Sequence, residues 1–128
     1  MDLDKLLAGL SPKLADDVFV FATLDPENVP DGVTPRMMFR EDEGVTLILT
    51  REEAEAAGID HHFPCRMITL DVHSSLEAVG FLARVATALA AEGMGVNPVA
   101  GYFHDHLFIP LGREQDAMAV LRRLASEA

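Results

Sequence analysis

The second half of the chain carries an order of elements that few folds accommodate. Residues 65–73, "CRMITLDVH", have the β-branched and apolar pattern of a strand. A long helical pattern with its entrance follows from residue 74 until Gly93 and Gly95 end it. "VNPVAGY" and "HLFIPL" are two further strand patterns, and residues 113–128 form a second helical pattern. This β-α-β-β-α order predicts an α+β, ferredoxin-like fold, in which helices cover one face of an antiparallel sheet.

A ferredoxin-like fold needs a fourth strand, and no strand pattern follows the last helix. The first half has three strand patterns to offer: residues 17–23, and "RMMFRE" with "GVTLILT", joined as a hairpin at residues 42–44. Short helical patterns cover residues 2–10 and 51–58. We therefore expect two intertwined halves, residues 1–63 and 64–128, that complete each other's sheets.

The two halves also share a weak internal repeat. "FREDEGVTLILTREEAEAA", from Phe39, is similar to "FHDHLFIPLGREQDAMAV", from Phe103, if the second copy has a gap of two residues. Both stretches run from a strand end through an acidic turn and an apolar strand into a helix. This similarity favours a duplication, although any strand-to-helix junction reproduces part of it.

Composition excludes several classes of partner. The chain has a net charge of -11 and no basic stripe, so nucleic acid and anionic membrane surfaces are unsuitable partners. No apolar run approaches the roughly 20 residues of a membrane span, and the acidic N-terminus does not resemble a signal peptide. Cys65 is the one cysteine and can form no internal disulfide. These features predict a cytoplasmic protein whose partner is a small molecule or another protein chain.

The segment "AGYFHDHLFIP" places two histidines around an aspartate. His104 and His106 lie two positions apart, so a strand would direct both toward one ion. A zinc site needs three or four converging ligands, and Cys65 or the histidines at 61 and 62 are candidates for the others. No HExxH or CxxC spacing is present. We therefore expect no metal or other cofactor and consider a metal-dependent enzyme the weaker alternative.

Nucleophilic catalysis has weaker support still. Ser74 or Ser75 with His73 and Asp105 would supply the residue types of a catalytic triad. Neither serine lies in a GxSxG elbow, and Ser74 has capping-box spacing to Glu77. We expect no catalytic residues.

Glycines and one aspartate provide a better candidate site. Gly80 lies early in the long helical pattern, where glycine costs about 1 kcal/mol relative to alanine. Either a ligand approaches the backbone there, since free N–H groups at a helix start bind anions, or Gly80 packs closely against a neighbouring element. Gly101 would leave room for the same ligand, and Asp105 would face its ammonium group. The alternative for Asp105 is an ordinary turn residue that bonds its own backbone.

These residues occur in stretches that resemble a known family. "VGFLARVATALAAEGMGVNPVAGYFHDHLFIPL" is similar to the ACT domain, a small regulatory module that binds amino acids. Gly80, Phe81 and Leu82 match its glycine-apolar-leucine helix start, and "LAAEGMGVN" matches the following turn. The hairpin resembles the ACT subgroup whose second strand leads into an Asp-containing turn. The resemblance covers residues 66–124 well and the N-terminal half, a degenerate copy, loosely.

The resemblance implies a βαββαβ ACT sandwich, pairing of domains and an amino-acid pocket at the domain interface. Gly80 would meet the ligand carboxylate, Gly101 and Tyr102 would line the pocket, and Asp105 would hold an amino group. Ala100 and Gly101 stand where the subgroup carries hydroxyl side chains, so those polar contacts are lost. The predicted ligand-binding set is Val79, Gly80, Ala100, Gly101, Tyr102 and Asp105.

The sequence therefore predicts a non-catalytic homodimeric sensor of an amino acid or similar small zwitterion. A protein-protein interaction module without a ligand is the first alternative, and Ala100 and Gly101 favour it slightly. The metal-dependent enzyme that uses His104 and His106 is the second.

Overall fold

The computed structural model describes residues 2–72 and 77–128. The chain forms two compact units, one of Met1–Asp16 with Arg66–Ala128 (unit 1) and one of Asp17–Cys65 (unit 2). The elements in chain order are α1 Leu3–Ala8, β1 Ser11–Leu24, the short 3-10 turn Pro26–Asn28, β2 Met37–Glu41, β3 Gly44–Thr50, α2 Arg51–Ala56, β4 His62–Asp71, α3 Phe81–Ala91, β5 Asn97–Ala100, β6 Asp105–Pro110 and α4 Glu114–Glu127.

Unit 1 contains the predicted β-α-β-β-α order, β4-α3-β5-β6-α4. Its strands are hydrogen-bonded in the order β1-β4-β6-β5, and residues 11–16 of β1 supply the strand that the C-terminal half lacks. Relative to the order of elements in a βαββαβ chain, this is the 4-1-3-2 arrangement of the ferredoxin-like fold. The prediction that the N-terminal half supplies the missing strand is confirmed.

The core of unit 1 lies between its helices and one face of its sheet. Ile68 and Leu70 of β4 and Leu107 and Ile109 of β6 are buried there. These residues alternate along their strands, because successive side chains point to opposite faces. Three helices, α1, α3 and α4, contribute apolar residues to the same cluster. These residues are Leu6, Leu7, Phe81, Val85, Leu89, Ala117, Val120 and Leu121.

Unit 2 has the same 4-1-3-2 arrangement. Its strands follow the order β2-β3-β1-β4, built from residues 17–24 of β1, the hairpin of β2 and β3, and residues 62–65 of β4. The predicted hairpin is confirmed, with Glu41 opposite Gly44 at its turn. The position of the first helix is occupied by Pro26–Asn28, a turn too short to cover a sheet. Each unit is therefore an α+β, ferredoxin-like unit, and β1 and β4 each contribute to both.

Two predicted elements have different bounds in the structure. β1 begins at Ser11 rather than at residue 17, so the strand includes Pro12, a residue that is uncommon in strands away from sheet edges. α3 begins at Phe81, so Val79 lies outside it and is exposed, and the buried stripe of α3 is Phe81, Val85 and Leu89. The predicted capping box pairs Ser74 with Glu77, and Ser74 lies outside the described residues.

Cys65 is fully buried, and its Sγ donates to the carbonyl oxygen of Phe19 at 3.4 Å. Burial raises the pKa of this thiol to about 12, because the thiolate would lose its hydration. Cys65 is therefore a packing residue and not a nucleophile. In the part of the chain that the structure describes, no helix has the length and apolar character needed to cross a membrane.

Candidate functional site

The hairpin of β5 and β6 in unit 1 carries four of the six predicted ligand-binding residues. Ala100 pairs with Asp105 at its end, and Gly101 N–H donates to the carbonyl oxygen of His104 at 2.9 Å. Tyr102 and Phe103 form the tip, where their side chains are 80% and 67% exposed. Their ring centroids are 5.0 Å apart in an edge-on arrangement. The histidine-aspartate segment is thus the closing side of a tight turn with an aromatic tip.

Asp105 occupies the helix-covered side of this hairpin. It alternates with Leu107 and Ile109, which pack against the helices of unit 1, so its side chain continues the same row. The carboxyl group is partly buried, and desolvation raises its pKa, although the nearby His106 and His104 act in the opposite direction. Among the residues that the structure describes, none forms an ion pair or a side-chain hydrogen bond with Asp105. This combination is typical of a functional carboxylate.

The two histidines face the other side of the sheet. The His106 Nδ1 lies 2.9 Å from Thr69 Oγ1, and the His104 Nε2 lies 3.6 Å from Asp71 Oδ1. From Thr69 to Asp71 the chain advances two residues along β4, and from His106 to His104 it goes back two residues along β6, as expected for antiparallel strands. Lys13 Nζ lies 2.6 Å from Asp71 Oδ2, and this hydrogen bond holds the pKa of Asp71 below its ordinary value. The histidine rings therefore connect the hairpin to β4, on the face opposite to Asp105.

Thr69, Asp71 and Lys13 were not singled out from the sequence. The alternation of Ile68 and Leu70 with Thr69 and Asp71 was the available signal, because it places the two polar residues on one face of β4. Within the described ranges, no group of three or more His, Cys, Asp or Glu side chains is arranged to hold a metal ion.

Gly80 stands immediately before α3 as its N-cap, with a backbone φ of 89°. This left-handed conformation explains the glycine, because a Cβ there clashes with the neighbouring carbonyl group. A Cβ at Gly80 would lie 3.6 Å from Leu3 Cδ2, which is ordinary contact. Val79, the preceding residue, is 88% exposed. The segment that leads into α3 is therefore open to solvent at Val79 and conformationally restricted at Gly80.

The conformation of Gly80 leads to a prediction for Gly80→Ala. We expect the substitution to lower the free energy of unfolding by about 1–2 kcal/mol, since alanine resists the left-handed region. Gly95→Ala is the matched control, because a Cβ at Gly95 would meet no atom within 4 Å and the backbone there has no positive φ. Urea unfolding of both variants measures the difference. Equal losses in the two variants would show that backbone strain at Gly80 is not the cause.

Gly101 has a different reason for lacking a side chain. A Cβ at this position would lie 3.0 Å from the carbonyl oxygen of His104 and 3.5 Å from His106 Nε2. The space beside Gly101 is therefore occupied by the hairpin's own groups. Gly101, Tyr102, Ala100 and Asp105 lie together in one hairpin, whereas Val79 and Gly80 precede α3. No described hydrogen bond or ion pair joins these two groups.

Of the triad residue types, Ser74, Ser75 and His73 lie outside the described residues.

Comparison with known proteins identifies ACT domains in both halves of the chain. Residues 1–66 match one ACT domain family, and residues 62–123 match a second. Among curated proteins, none matches the chain.

Solved structures share the fold. A protein of unknown function from Vibrio cholerae, described as a possible transport protein, is 40% identical, with a TM-score of 0.86 over 96% of this chain and 95% of that one. A protein from Agrobacterium tumefaciens is 16% identical, with a TM-score of 0.76 over 91% and 89% of the two chains. The ligand-free regulatory subunit of aspartate kinase from Thermus thermophilus is 11% identical, with a TM-score of 0.69 over 91% and 97%. The last two similarities concern the fold.

Proposed function

Because the chain belongs to the ACT domain family, we propose that it is a non-catalytic regulatory protein that binds an amino acid or a similar small zwitterion. In this proposal a homodimer brings two hairpins to a domain interface and acts in the cytoplasm, reporting ligand levels to a partner protein. The division into residues 1–63 and 64–128 is retained as the proposed boundary of the ancestral duplication. The fold shared with a regulatory subunit of aspartate kinase is compatible with such a role.

Asp105 is the observation that carries the proposal. A partly buried carboxylate without an ion-pair partner among the described residues is costly for the folded protein, so its presence needs a reason. An ammonium group of a ligand would supply the missing charge and form a charge-assisted hydrogen bond. The N–H groups that open α3 after Gly80 would receive the ligand carboxylate. Val79, Ala100 and Tyr102 complete the proposed pocket, and Gly101 contributes only its backbone, because the hairpin's own groups fill the space beside its Cα.

An interaction module without a ligand is the second candidate. Tyr102 and Phe103 are large, exposed and in contact with each other, and β5 is an edge strand of unit 1. Aromatic residues at an exposed tip beside an edge strand are typical of protein-protein contacts. This candidate requires a partner chain and no amino acid.

Thermal melting in the presence of each standard amino acid distinguishes the two candidates. At about 100 times its dissociation constant, a ligand adds about 2.7 kcal/mol and raises the Tm by several degrees. We expect such a rise with one amino acid or a few related ones. Samples with zinc and with EDTA accompany the series. A Tm that no amino acid raises would contradict the sensor function and favour the interaction module, and a loss of stability in EDTA would restore the metal-dependent alternative.

A further inference from the structure

Unit 2 contains a cavity whose lining residues lie between positions 17 and 50, far in sequence from the hairpin of β5 and β6. Its volume is about 320 Å³, near the lower limit of small-molecule sites. The register of the sheet fixes its walls, because Phe19 pairs with Thr50 and the N–H of Arg36 donates to the carbonyl oxygen of Ile48 at 2.7 Å. The residues that line it are Asp17, Phe19, Thr34, Pro35, Arg36 and Thr50.

Arg36 provides a positive charge with unused donors. Its guanidinium carbon lies 5.5 Å from the centroid of the Phe19 ring, and this ring is buried. A contact of this kind restrains a guanidinium group while its N–H edges stay available. In the described part of the chain, no carboxylate or carbonyl oxygen accepts a hydrogen bond from the Arg36 side chain. Arginine forms two parallel hydrogen bonds with a carboxylate more readily than lysine does.

Asp17 provides the opposite charge on the same cavity. Among the described residues, neither Arg36 nor any other cation forms an ion pair with it. The nearby Glu53 is already engaged, since its Oε2 accepts from Thr34 N–H at 2.8 Å and from Thr34 Oγ1 at 3.1 Å. These bonds also hold the Thr34 wall in place. Asp17 and Arg36 are both exposed, so the cavity opens to solvent and presents one cation and one anion that form no ion pair with each other.

We propose that this cavity is a second small-molecule site, which binds a zwitterion with its carboxylate on Arg36 and its ammonium on Asp17. The net charge of -11 repels simple anions, so an ammonium group on the same molecule makes a carboxylate ligand acceptable. In this site the side chain of Arg36 binds the carboxylate, and neither Asp105 nor its hairpin takes part. It gives unit 2 a recognition function of its own.

Nuclear magnetic resonance of ¹⁵N-labelled protein tests this site with three probes: glycine, acetate and methylammonium. The side-chain Nε–H resonance of Arg36 and the backbone amides of Phe19 and Thr50 are the reporters. We expect glycine to shift them at lower concentration than acetate or methylammonium does at equal ionic strength. An advantage of about tenfold corresponds to 1.4 kcal/mol for the second charge. Reporters that none of the probes moves, or that acetate moves as well as glycine, would overturn the proposal.

Variants assign the effect to its residues. Arg36→Gln should remove the glycine-dependent shifts, and Asp17→Asn should reduce the apparent affinity for glycine to that for acetate. Arg40→Gln is the control, since Arg40 is an exposed arginine of β2 that does not line the cavity. The shifts should persist in Asp105→Asn, which separates this site from the hairpin. Glycine-dependent shifts that survive Arg36→Gln would exclude the proposed site.

Discussion

Replacing Arg66 with methionine is expected to lower the free energy of unfolding by about 2–3 kcal/mol. Methionine keeps much of the length and apolar stem of arginine, so the loss reports the guanidinium group and not a cavity. For a chain of this size the corresponding fall in Tm is roughly 10 °C. Urea unfolding and thermal melting measure the two quantities.

The geometry of Arg66 explains the size of this effect. Its Nε and one terminal nitrogen both donate to the carbonyl oxygen of Ala15, at 3.0 and 2.8 Å. The other terminal nitrogen lies 3.5 Å from Glu114 Oε2, and each of the two side chains is only 17% exposed. Glu114 Oε1 accepts from Gly112 N–H at 2.6 Å. One side chain on β4 therefore holds the N-terminal strand of unit 1 and the start of α4 together.

Two further variants test that explanation. Arg122→Met makes the same chemical change on the exposed face of α4 and should alter stability by less than about 0.5 kcal/mol. Adding Glu114→Gln to Arg66→Met should recover part of the loss in stability. The second substitution removes the partly buried carboxylate that Arg66→Met leaves without a cation. If the two substitutions at Arg66 and Glu114 were simply additive, the ion pair would not contribute to stability.

Local patterns predicted the elements around Arg66 but not the role of Arg66 itself. The strand pattern of residues 65–73 and the predicted apolar stripe of α4 at Ala117, Val120, Leu121 and Leu124 each report burial within one element. The structure has the strand and buries the first three residues of the stripe, whereas Leu124 is partly buried. The missing fourth strand was predictable, because a βαββα chain leaves an edge that must be paired. The contact of Arg66 with Ala15 spans 51 residues. No periodicity within a single element encodes a contact over such a separation.

The candidate site shows the same division between local and distant information. The turn at His104 and Asp105 was predictable, because it separates two apolar strands. The contact of His106 with Thr69 spans 37 residues and depends on which strands are neighbours. The start of α3 was misplaced because the helical spacing in the sequence continues N-terminally of Gly80. The positive φ of Gly80 is not helical, so α3 begins only at the next residue. Backbone conformation is not visible in hydrophobic periodicity.

Asp105→Asn should weaken binding of the amino acid that raises the Tm by about 10- to 100-fold, while the ligand-free protein stays folded. The lost interaction is a charge-assisted hydrogen bond, which is worth about 1.5–3 kcal/mol. Asparagine has nearly the same shape as aspartate, so the substitution removes the charge with little change in side-chain volume. Isothermal titration calorimetry measures the affinity, and thermal melting without ligand measures the stability.

The pH dependence gives this prediction a second signature. Burial raises the pKa of Asp105 in the folded protein above its value in the unfolded chain. The contribution of Asp105 to stability is therefore most favourable below its unfolded pKa and is lost as the pH rises through its folded pKa. At neutral pH the asparagine variant without ligand should be as stable as the wild type or more stable. Affinity for an ammonium-bearing ligand should increase as the pH rises through the Asp105 pKa, and the variant should lack that increase.

Asp60→Asn is the matched control, because it removes the charge of an exposed aspartate in unit 2. It should leave both affinity and its pH dependence unchanged, which separates a local effect of Asp105 from the change in net charge. Opposite effects of Asp105→Asn on binding and on ligand-free stability are expected for a residue kept for its ligand at a cost to the fold. A large fall in the Tm of the ligand-free variant would instead make Asp105 a structural residue of the turn. Unchanged affinity would remove Asp105 from the binding site.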